Sequence, residues 1–378
     1  LRPLQGRVAG APQGAPAKGR FASRGAARTP MVYRKPQKGE ITLSIRIGAG
    51  TIRLERPAAI AAVAAVGSRM EQEGPLGAEF DRTVEDSSFG EKSWEKAETK
   101  MQQLALELAL QKAGVQPETI DIVLGGDLLN QCIASAYAAR ELGRPYLGLY
   151  GACSTMAESL TLAALLVESG AAKNALAVTS SHFCSSERQF RFPLNYGGVR
   201  TPTAQHTATA SGAALVAQQG DIHIREVCIG RVVDLGVTDI NNMGAAMAPA
   251  AWDTLRQYLA DTGTAPADYD KIITGDLAGV GSDLLVRLAA EEGCDLRPHY
   301  TDCGLMLYDR EEQKVDAGAS GCGCSAAVMC AHFLPAMQRR DYRNILFLAT
   351  GALMSPTACQ QGESIPGVAH LLHLTAGE

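Results

Sequence analysis

A cysteine stands at a predicted junction between a strand and a helix. Cys153 follows the short apolar segment Tyr146–Leu149, which predicts a strand, and precedes an Ala- and Leu-rich segment that predicts a helix. The first turn of a helix offers unpaired N–H groups and the positive end of the helix dipole, which lower the pKa of a thiol and stabilise an anion. Cys153 is therefore predicted to be a thiolate nucleophile or part of an anion site. A small buried cysteine that packs behind a turn is the alternative.

A histidine ends the next predicted strand. His182 closes Ser180-Ser181-His182, and we expect its imidazole to point to the same rim of the sheet as Cys153. An imidazole there would act as a general base or donate to an anion. A satisfied structural histidine is the alternative.

Two arginines alternate with aromatic residues just downstream. Arg188 and Arg191 belong to Glu187-Arg188-Gln189-Phe190-Arg191-Phe192-Pro193, which we predict to be a loop. Guanidinium groups grip carboxylates through two hydrogen bonds and stack on planar rings, so this segment suits a flat acidic ligand. The alternative is a solvated loop with surface ion pairs.

Two aspartates end equivalent predicted strands. Asp127 and Asp276 could orient a histidine or ligate a cation, and turn capping is the alternative. A metal site at Cys322, Cys324, Cys330 and His332 is not favoured, because Cys330 and His332 lie two apart on an apolar helix and face opposite ways. No metal site is therefore predicted.

An internal repeat must position these residues. Gly114, Pro117 and Asp127 recur as Gly263, Pro266 and Asp276, with 13 residues from Gly to Asp and 10 from Pro to Asp in each copy. Each copy predicts a helix, a Gly-Pro stop, a short buried strand and a Gly-Asp turn. Further on, a Cys-Ser pair precedes a helix and a strand that begins at an Asn. The interval from Cys to Asn is 21 residues after Cys153 and 20 after Cys324.

The repeat predicts an α/β protein of two duplicated βαβαβ halves. The helices before the repeat begin near Ser93, which is a good N-cap, and around Trp252, and both carry an apolar stripe. Alternating strands and helices imply mixed or parallel sheets covered on both faces, with the site at the carboxyl ends of the strands. We place the halves at residues 44–220 and 221–378, joined around Gln218 to Thr238.

Composition excludes several classes of protein. The chain of 378 residues is 46% hydrophobic, and its clearest apolar run, Pro57–Val66, is far shorter than the ~20 residues of a membrane span. The ten cysteines contain no Cys-x-x-Cys pair, which predicts reduced thiols in a cytosolic compartment.

Charge divides the chain into a basic head and an acidic body. The first 39 residues hold nine Lys or Arg and no acid, so the formal net charge of −5 leaves −14 for the remainder. We predict that residues 1–43 are disordered, either as a transit-type peptide or nucleic-acid tail or as sequence upstream of a start at Met31. An acidic body argues against nucleic acid as a partner.

Several segments together resemble the thiolase superfamily, and more narrowly its stage V sporulation AD family. They are Gly74–Gly77, Gly126–Gln131, Gly151–Thr155, Ser180–His182, Glu187–Arg191 and Asp302–Met306. The resemblance implies a thiolase-like fold of five α/β/α/β/α layers and a homodimer. It further implies a protein that binds dipicolinic acid (pyridine-2,6-dicarboxylic acid) and acts with other stage V sporulation A proteins of the membrane, peripheral on the cytoplasmic face of the forespore or spore inner membrane. Expected roles are transport of this ligand into the spore and spore germination.

The condensing relatives in this superfamily use a Cys, a His and an Asn. Cys153 is present, but the segments where the His and Asn are expected, Thr274–Ser282 and Gly321–Cys324, contain neither. Without the His and Asn donors, a thioester oxyanion loses roughly several kcal/mol of stabilisation. We therefore predict a binding protein rather than an enzyme. An acyl transferase that uses Cys153 with His182, and a scaffold without a ligand, are the alternatives.

The ligand site is predicted from these segments and the repeat. It comprises Cys153, His182, Arg188, Arg191, Asp127, Asn130, Gln131, Asp276 and Gly323. No cofactor is predicted, and whether calcium accompanies the ligand stays open.

Overall fold

The computed structural model describes residues 44–190 and 200–377. The predictions for residues 1–43 and for Arg191 lie outside these residues. The strands are β1 (Ile45–Ile47), β2 (Thr51–Ser68), β3 (Arg82–Val84), β4 (Ile122–Gly126), β5 (Tyr146–Gly148), β6 (Asn174–Ser181), β7 (His206–Thr207), β8 (Ala210–Ala217), β9 (Ile222–Ile229), β10 (Lys271–Thr274), β11 (Tyr300–Asp302), β12 (Ala319–Ser320), β13 (Asn344–Ala352) and β14 (Gly367–Ala376).

Helices alternate with these strands along most of the chain. They are α1 (Arg69–Glu73), α2 (Trp94–Ala113), α3 (Ile133–Leu142), α4 (Thr155–Glu168), α5 (Phe183–Phe190), α6 (Met243–Thr262), α7 (Ala278–Glu291), α8 (Cys303–Met306), α9 (Cys322–Val328), α10 (Leu334–Gln338) and α11 (Pro356–Gln360). A π-helical turn, Met329–Phe333, joins α9 to α10.

The order of strands confirms the duplication. The path through the large sheet is β11-β10-β13-β14-β9-β2-β8-β6-β4-β5, in which each half repeats the other in mirror order about the β9–β2 pair. In each half three strands are parallel and the next is antiparallel to them, as in β5-β4-β6-β8 and β11-β10-β13-β14. The fold is therefore thiolase-like, with two copies of one mixed α/β unit.

Helices pack in three layers around the two halves of the sheet. Helix α2 covers β2, β8 and β6 on one outer face, and α6 covers β14 and β13 on the other. Between them α4 contacts β6 and β4 of its own half as well as β13 and β14 of the second half, and α9 packs on β8 and β6 of the first half. A shared apolar core joins residues of both halves in this middle layer. The result is five layers, as expected for this fold.

Local sequence explains where the two outer helices begin and end. Ser93 accepts a hydrogen bond from Lys96 N at the start of α2, and Gly114 ends that helix with a φ of 66°. Asn242 and Gly263 do the same for α6, where the φ of Gly263 is 69°. Glycine is favoured at both ends because the left-handed conformation costs a residue with a Cβ about 1 kcal/mol. The predicted N-cap at Ser93 is confirmed.

One local prediction differs from the structure. The segment that contains Arg188 forms helix α5 rather than a loop, with Ser186 N bonded to His182 O. The apolar run Pro57–Val66 is part of the 18-residue strand β2, which is buried because it lies at the centre of the sheet. The joining segment Gln218–Thr238 contains β9, the first strand of the second half. Within the described residues no helix is both long and apolar enough to span a bilayer.

Candidate functional site

A cavity of about 380 Å³ opens where the carboxyl ends of β4 and β13 meet the start of α4. Both halves of the chain contribute to its wall. The first half supplies Leu128, Asn130, Gln131, Cys132, Tyr150, Ala152, Cys153, Gln189 and Phe190, and the second supplies Met243, Met247, Ser320, Ala352, Met354, Ser355 and Pro356. We call this cavity the Cys153 pocket. Its place at the strand ends agrees with the sequence-based prediction.

Cys153 lines the pocket from the turn Ala152–Ser154 that leads into α4. Ala152 holds a φ of 50°, which is unusual for a residue with a Cβ, and it lines the pocket beside Cys153. The side chain is nevertheless only 9% exposed and packs on Leu128 and the fully buried Cys322. Burial and the nearby Asp276 carboxyl raise the pKa of this thiol well above its ordinary value. The structure therefore favours the alternative of a buried protonated cysteine over a thiolate, because the loss of water outweighs the helix dipole.

Asp276 stands behind Cys153 and comes from the second half. Its carboxylate accepts hydrogen bonds from Gly321 N at 2.8 Å and from Ser320 Oγ and Thr350 Oγ1 at 3.1 Å. Burial raises the pKa of Asp276 to about 6, which these donors partly oppose. The carboxyl thus caps the turn before α9 and acts electrostatically on a nearby thiol. The prediction that it serves a histidine or a cation is not supported.

Asp127 shapes the loop between β4 and α3. It is buried and accepts from Leu129 N and Ser135 N, each at 2.8 Å, and from Ser135 Oγ at 2.6 Å. Burial raises its pKa. Asp127 itself does not line the pocket, but it fixes the loop in which Asn130 and Gln131 do. Its role is therefore the turn-capping alternative.

Asn130 and Gln131 supply polar atoms to the pocket wall. Asn130 N donates to Gln189 Oε1 at 2.9 Å, which ties this loop to the last turn of α5. Gln131 and Cys132 both have positive φ, 59° and 51°, although neither is glycine. Consecutive left-handed residues cost of order 1–3 kcal/mol each and cluster at functional sites, so the surrounding bonds must hold this loop.

His182 is buried away from the pocket. Its Nε2 lies 2.8 Å from Ser87 O, and its Nδ1 accepts from Cys184 N at 3.2 Å. This pairing fixes a neutral tautomer with the proton on Nε2, and burial lowers the pKa of the imidazole. The ring packs on Trp94 with centroids 5.4 Å apart. The predicted place of His182 beside Cys153 at the rim is wrong, because α2 and the Ser87 loop enclose it.

Arg188 and Gly323 are also outside the pocket wall. Arg188 pairs with Glu95 at the start of α2. Gly323 is buried, and its N–H donates to Ser181 Oγ at 3.2 Å. A Cβ at Gly323 would lie 2.2 Å from Ala210 O, so the glycine permits close packing of α9 on β8 rather than ligand contact.

Sequence reasoning missed much of the apolar lining. Met243, Met247 and Met354 face the cavity together with Phe190 and Tyr150. Met243 begins α6 and Met354 follows β13, so both lie at element ends on the rim that the repeat predicted. Among the described residues of the wall there is no Lys, Arg or His. The wall therefore offers flat apolar contacts and amide groups rather than fixed positive charge.

Metal ligands are not grouped within the described residues. No cluster of three or more His, Cys, Asp or Glu side chains there could hold an ion. His332 bonds to Glu79 instead, and Cys330 is turned toward Ala213 O. The ten cysteines are all free.

The fold and the place of Cys153 define a thiolase-like protein. Over 84% of this chain and 99% of that chain, it superposes on 3-oxoacyl-[acyl-carrier-protein] synthase III from Aquifex aeolicus with a TM-score of 0.53 and 15% identity. A structure of OleA from Xanthomonas campestris gives a TM-score of 0.54 at 14% identity over 85% of this chain and 99% of that one. At such identities the likeness concerns the fold alone.

Sequence comparison specifies the family. Residues 48–375 match the family Stage V sporulation protein AD (SpoVAD). The chain is 44% identical over 324 residues to Stage V sporulation protein AD of Bacillus subtilis strain 168, which covers 85% of this chain and 96% of that protein. The chain therefore belongs to the stage V sporulation protein AD family, and it is a sporulation protein.

Proposed function

We propose that this protein binds dipicolinic acid in the Cys153 pocket and carries out no condensation. The observation that supports the proposal most directly is a pocket built by both halves at the carboxyl ends of the strands, in a chain of a sporulation family. A cavity of about 380 Å³ is within the usual range for small-molecule sites.

The lining suits a flat ring with two carboxylates. Met243, Met247 and Phe190 offer the soft and planar surfaces on which an aromatic ring packs. Asn130 and Gln131 can donate to carboxylate oxygens at the polar side of the cavity. Because the described wall lacks a cation, a neutral calcium chelate and the free dianion are both to be tested.

The state of Cys153 supports a binding role over acyl transfer. A nucleophilic cysteine acts as its thiolate, whereas burial and Asp276 keep this thiol protonated. His182, the base that a transferase would need, is turned to Ser87 O. Condensation would also require His and Asn donors, and the segments where they are expected, Thr274–Ser282 and Gly321–Cys324, contain neither residue.

Calorimetry of the purified chain with dipicolinic acid, with and without calcium, tests the proposal. We expect saturable binding heat for the wild type. The affinity should fall at least tenfold in Gln131→Ala and stay unchanged in Gln103→Ala, a control on α2 outside this pocket. An absence of heat at millimolar ligand in both conditions overturns it.

Acyl transfer is the second candidate, because Cys153 lines a pocket at the start of a helix as a nucleophile would. Incubation with acyl-CoA followed by mass spectrometry decides between the two. An adduct confined to the Cys153 peptide supports transfer, and an unmodified peptide supports binding.

Partners and location are part of the proposal. We propose that the chain acts peripherally at the cytoplasmic face of the forespore or spore inner membrane, with other stage V sporulation A proteins that move the ligand during spore formation and germination. We also propose a homodimer through β5. This strand ends the described sheet path, and Leu147 on it is 50% exposed, which leaves an apolar edge open for pairing.

A further inference from the structure

A buried chain of hydrogen bonds runs beneath two walls of the Cys153 pocket. One wall is the loop after β4, which presents Asn130 and Gln131; the other is the last turn of α5, which presents Gln189 and Phe190. Neither wall is held by a strand at these residues.

Glu98 on α2 holds the α5 wall. It is fully buried and accepts from Ser185 Oγ at 2.6 Å and from Ser180 Oγ at 2.9 Å. Ser185 belongs to α5, one turn before Gln189. Ser185 Oγ also lies 3.2 Å from His182 O, so when Glu98 carries a proton and donates to Ser185, the serine hydroxyl has an acceptor in this carbonyl.

Gln102 joins Glu98 to the loop wall. Its Nε2 lies 3.0 Å from Ser180 Oγ and 2.8 Å from Ser135 Oγ, and Ser135 donates to Asp127. The two serine hydroxyls thus accept from one amide and donate to two carboxyls. Gln102 Nε2 also donates to Gly126 O at 3.3 Å; because a carbonyl oxygen can only accept, this contact identifies that end of the amide as the donor.

The hydrogen-bond chain contains two buried carboxyl groups, Glu98 and Asp127, and no buried base. This arrangement favours the protonated form of one of the two carboxyls. Burial, and secondarily Asp127, raise the pKa of Glu98 to about 8. The other titratable groups on elements packed against α2 do not neutralise it. Strands β6 and β8 carry none. Arg188 and Glu187 of α5 pair with Glu95 and Arg200, and Cys184 and His182 lie beside them. The remaining groups are Tyr137, Arg140 and Glu141 of α3, Arg53, Glu55 and Arg56 of β2, and Cys322 and Cys324 of α9.

We propose that Glu98 is a positioning residue for the Cys153 pocket. Glu98 holds the α5 wall through Ser185, and it holds the loop wall through Ser180, Gln102, Ser135 and Asp127. Ligand binding therefore weakens when Glu98 ionises. Ionisation leaves two negative charges on one buried chain, and the walls must open to admit water or separate the carboxyls. This inference rests on the proposed function only in the identity of the ligand.

Titration of the full chain with dipicolinic acid between pH 6 and pH 9.5 tests the proposal. The carboxylates of the ligand are ionised over this whole pH range, so any change of affinity with pH comes from titration of the protein. We expect binding about tenfold weaker at pH 9 than at pH 7 in the wild type, and no such slope in Glu98→Gln. Glu107→Gln, an exposed position on the same helix, should keep the wild-type slope. A slope retained in Glu98→Gln overturns the proposal.

Hydrogen–deuterium exchange separates this inference from the proposed function. If the wild type binds no dipicolinic acid at any pH, the proposed function fails. Exchange measured without ligand still tests whether Glu98 holds the two walls. Residues 128–132 and 183–190 should exchange faster in the wild type than in Glu98→Gln at pH 9 and equally at pH 6. Equal rates at both pH values overturn the inference. If Glu98→Gln does not fold, Ser185→Ala serves instead, with weaker binding at pH 7 and a reduced slope expected.

Discussion

The Cys153 thiol lies close to the carboxyl of Asp276, a residue from the other half of the duplicated chain, and that carboxyl raises the pKa of the thiol. The first half thus places the sulfur at the pocket, and the second half keeps it protonated. A condensing relative requires the opposite protonation state, because its cysteine sulfur must lose its proton before it can attack.

Alkylation should show that Cys153 is unreactive. At pH 8 we expect iodoacetamide to modify the Cys153 peptide more slowly than the Cys359 peptide, because Cys153 is 9% exposed and its thiol pKa is raised. Peptide-resolved mass spectrometry measures both rates in one sample. Asp276→Asn should speed labelling of Cys153 several-fold, since it removes the negative charge that acts on the thiol. Faster labelling of Cys153 than of Cys359 in the wild type would contradict the expected state.

Stability should fall as pH rises from about 5 to about 8. The pKa of Glu98 is raised in the folded chain to about 8, so its contribution is fully present below its unfolded pKa and is lost as the pH rises through 8. The slope from one such group is at most about 1.4 kcal/mol per pH unit. Asp276 and Asp302, whose pKa values burial raises to about 6, act in the same direction at lower pH.

Urea unfolding at several pH values checks this slope. Glu98→Gln should flatten the decline between pH 6 and 8, whereas Glu107→Gln should leave it unchanged. A free energy of unfolding that rises over this interval in the wild type would refute the assignment.

Gly323→Ala should destabilise the fold without touching the pocket. The added Cβ would meet Ala210 O at 2.2 Å, and overpacking of this kind costs about 1–3 kcal/mol or more. Gly293→Ala is the control, since it meets no atom within 4 Å and changes only a left-handed φ, at about 1 kcal/mol. Thermal unfolding compares the two. An equal loss in both variants would show that α9 can move away from β8.

Leu147→Asp should weaken the proposed homodimer. A charge on the exposed edge strand β5 disfavours pairing of a second edge. Leu235→Asp is the matched control, because Leu235 is 69% exposed but lies on the segment after β9. Light scattering after size exclusion gives the mass of each. A wild-type monomer, or a dimer that survives Leu147→Asp, would place any interface elsewhere.

The repeat predicted the fold because it consists of local signals. The Gly and Pro stops, the short apolar runs before Asp127 and Asp276 and the cap at Ser93 each act within a few residues, and all recur in the structure. The order of strands then follows from duplication and short connections.

The site could be predicted only in part, because its chemistry depends on what covers each residue. Of the residues predicted for the site, Cys153, Asn130 and Gln131 lie together in the wall of one pocket. The sequence could not show that Ser87 and Trp94 enclose His182, or that Glu95 takes Arg188. It also could not weigh burial against the helix dipole at Cys153, since that burial depends in part on Cys322 of the second half.

The mirror order of the sheet gives each cysteine-bearing helix start a counterpart, and the two have diverged. Cys324 corresponds to Cys153 in the repeat, yet it is fully enclosed while Cys153 touches a cavity. The first copy thus lines the pocket, whereas the equivalent cysteine of the second copy lies in the core. Because both halves contribute to the pocket wall, neither half could form the pocket if the polypeptide were cut between β8 and β9 and only one piece were kept.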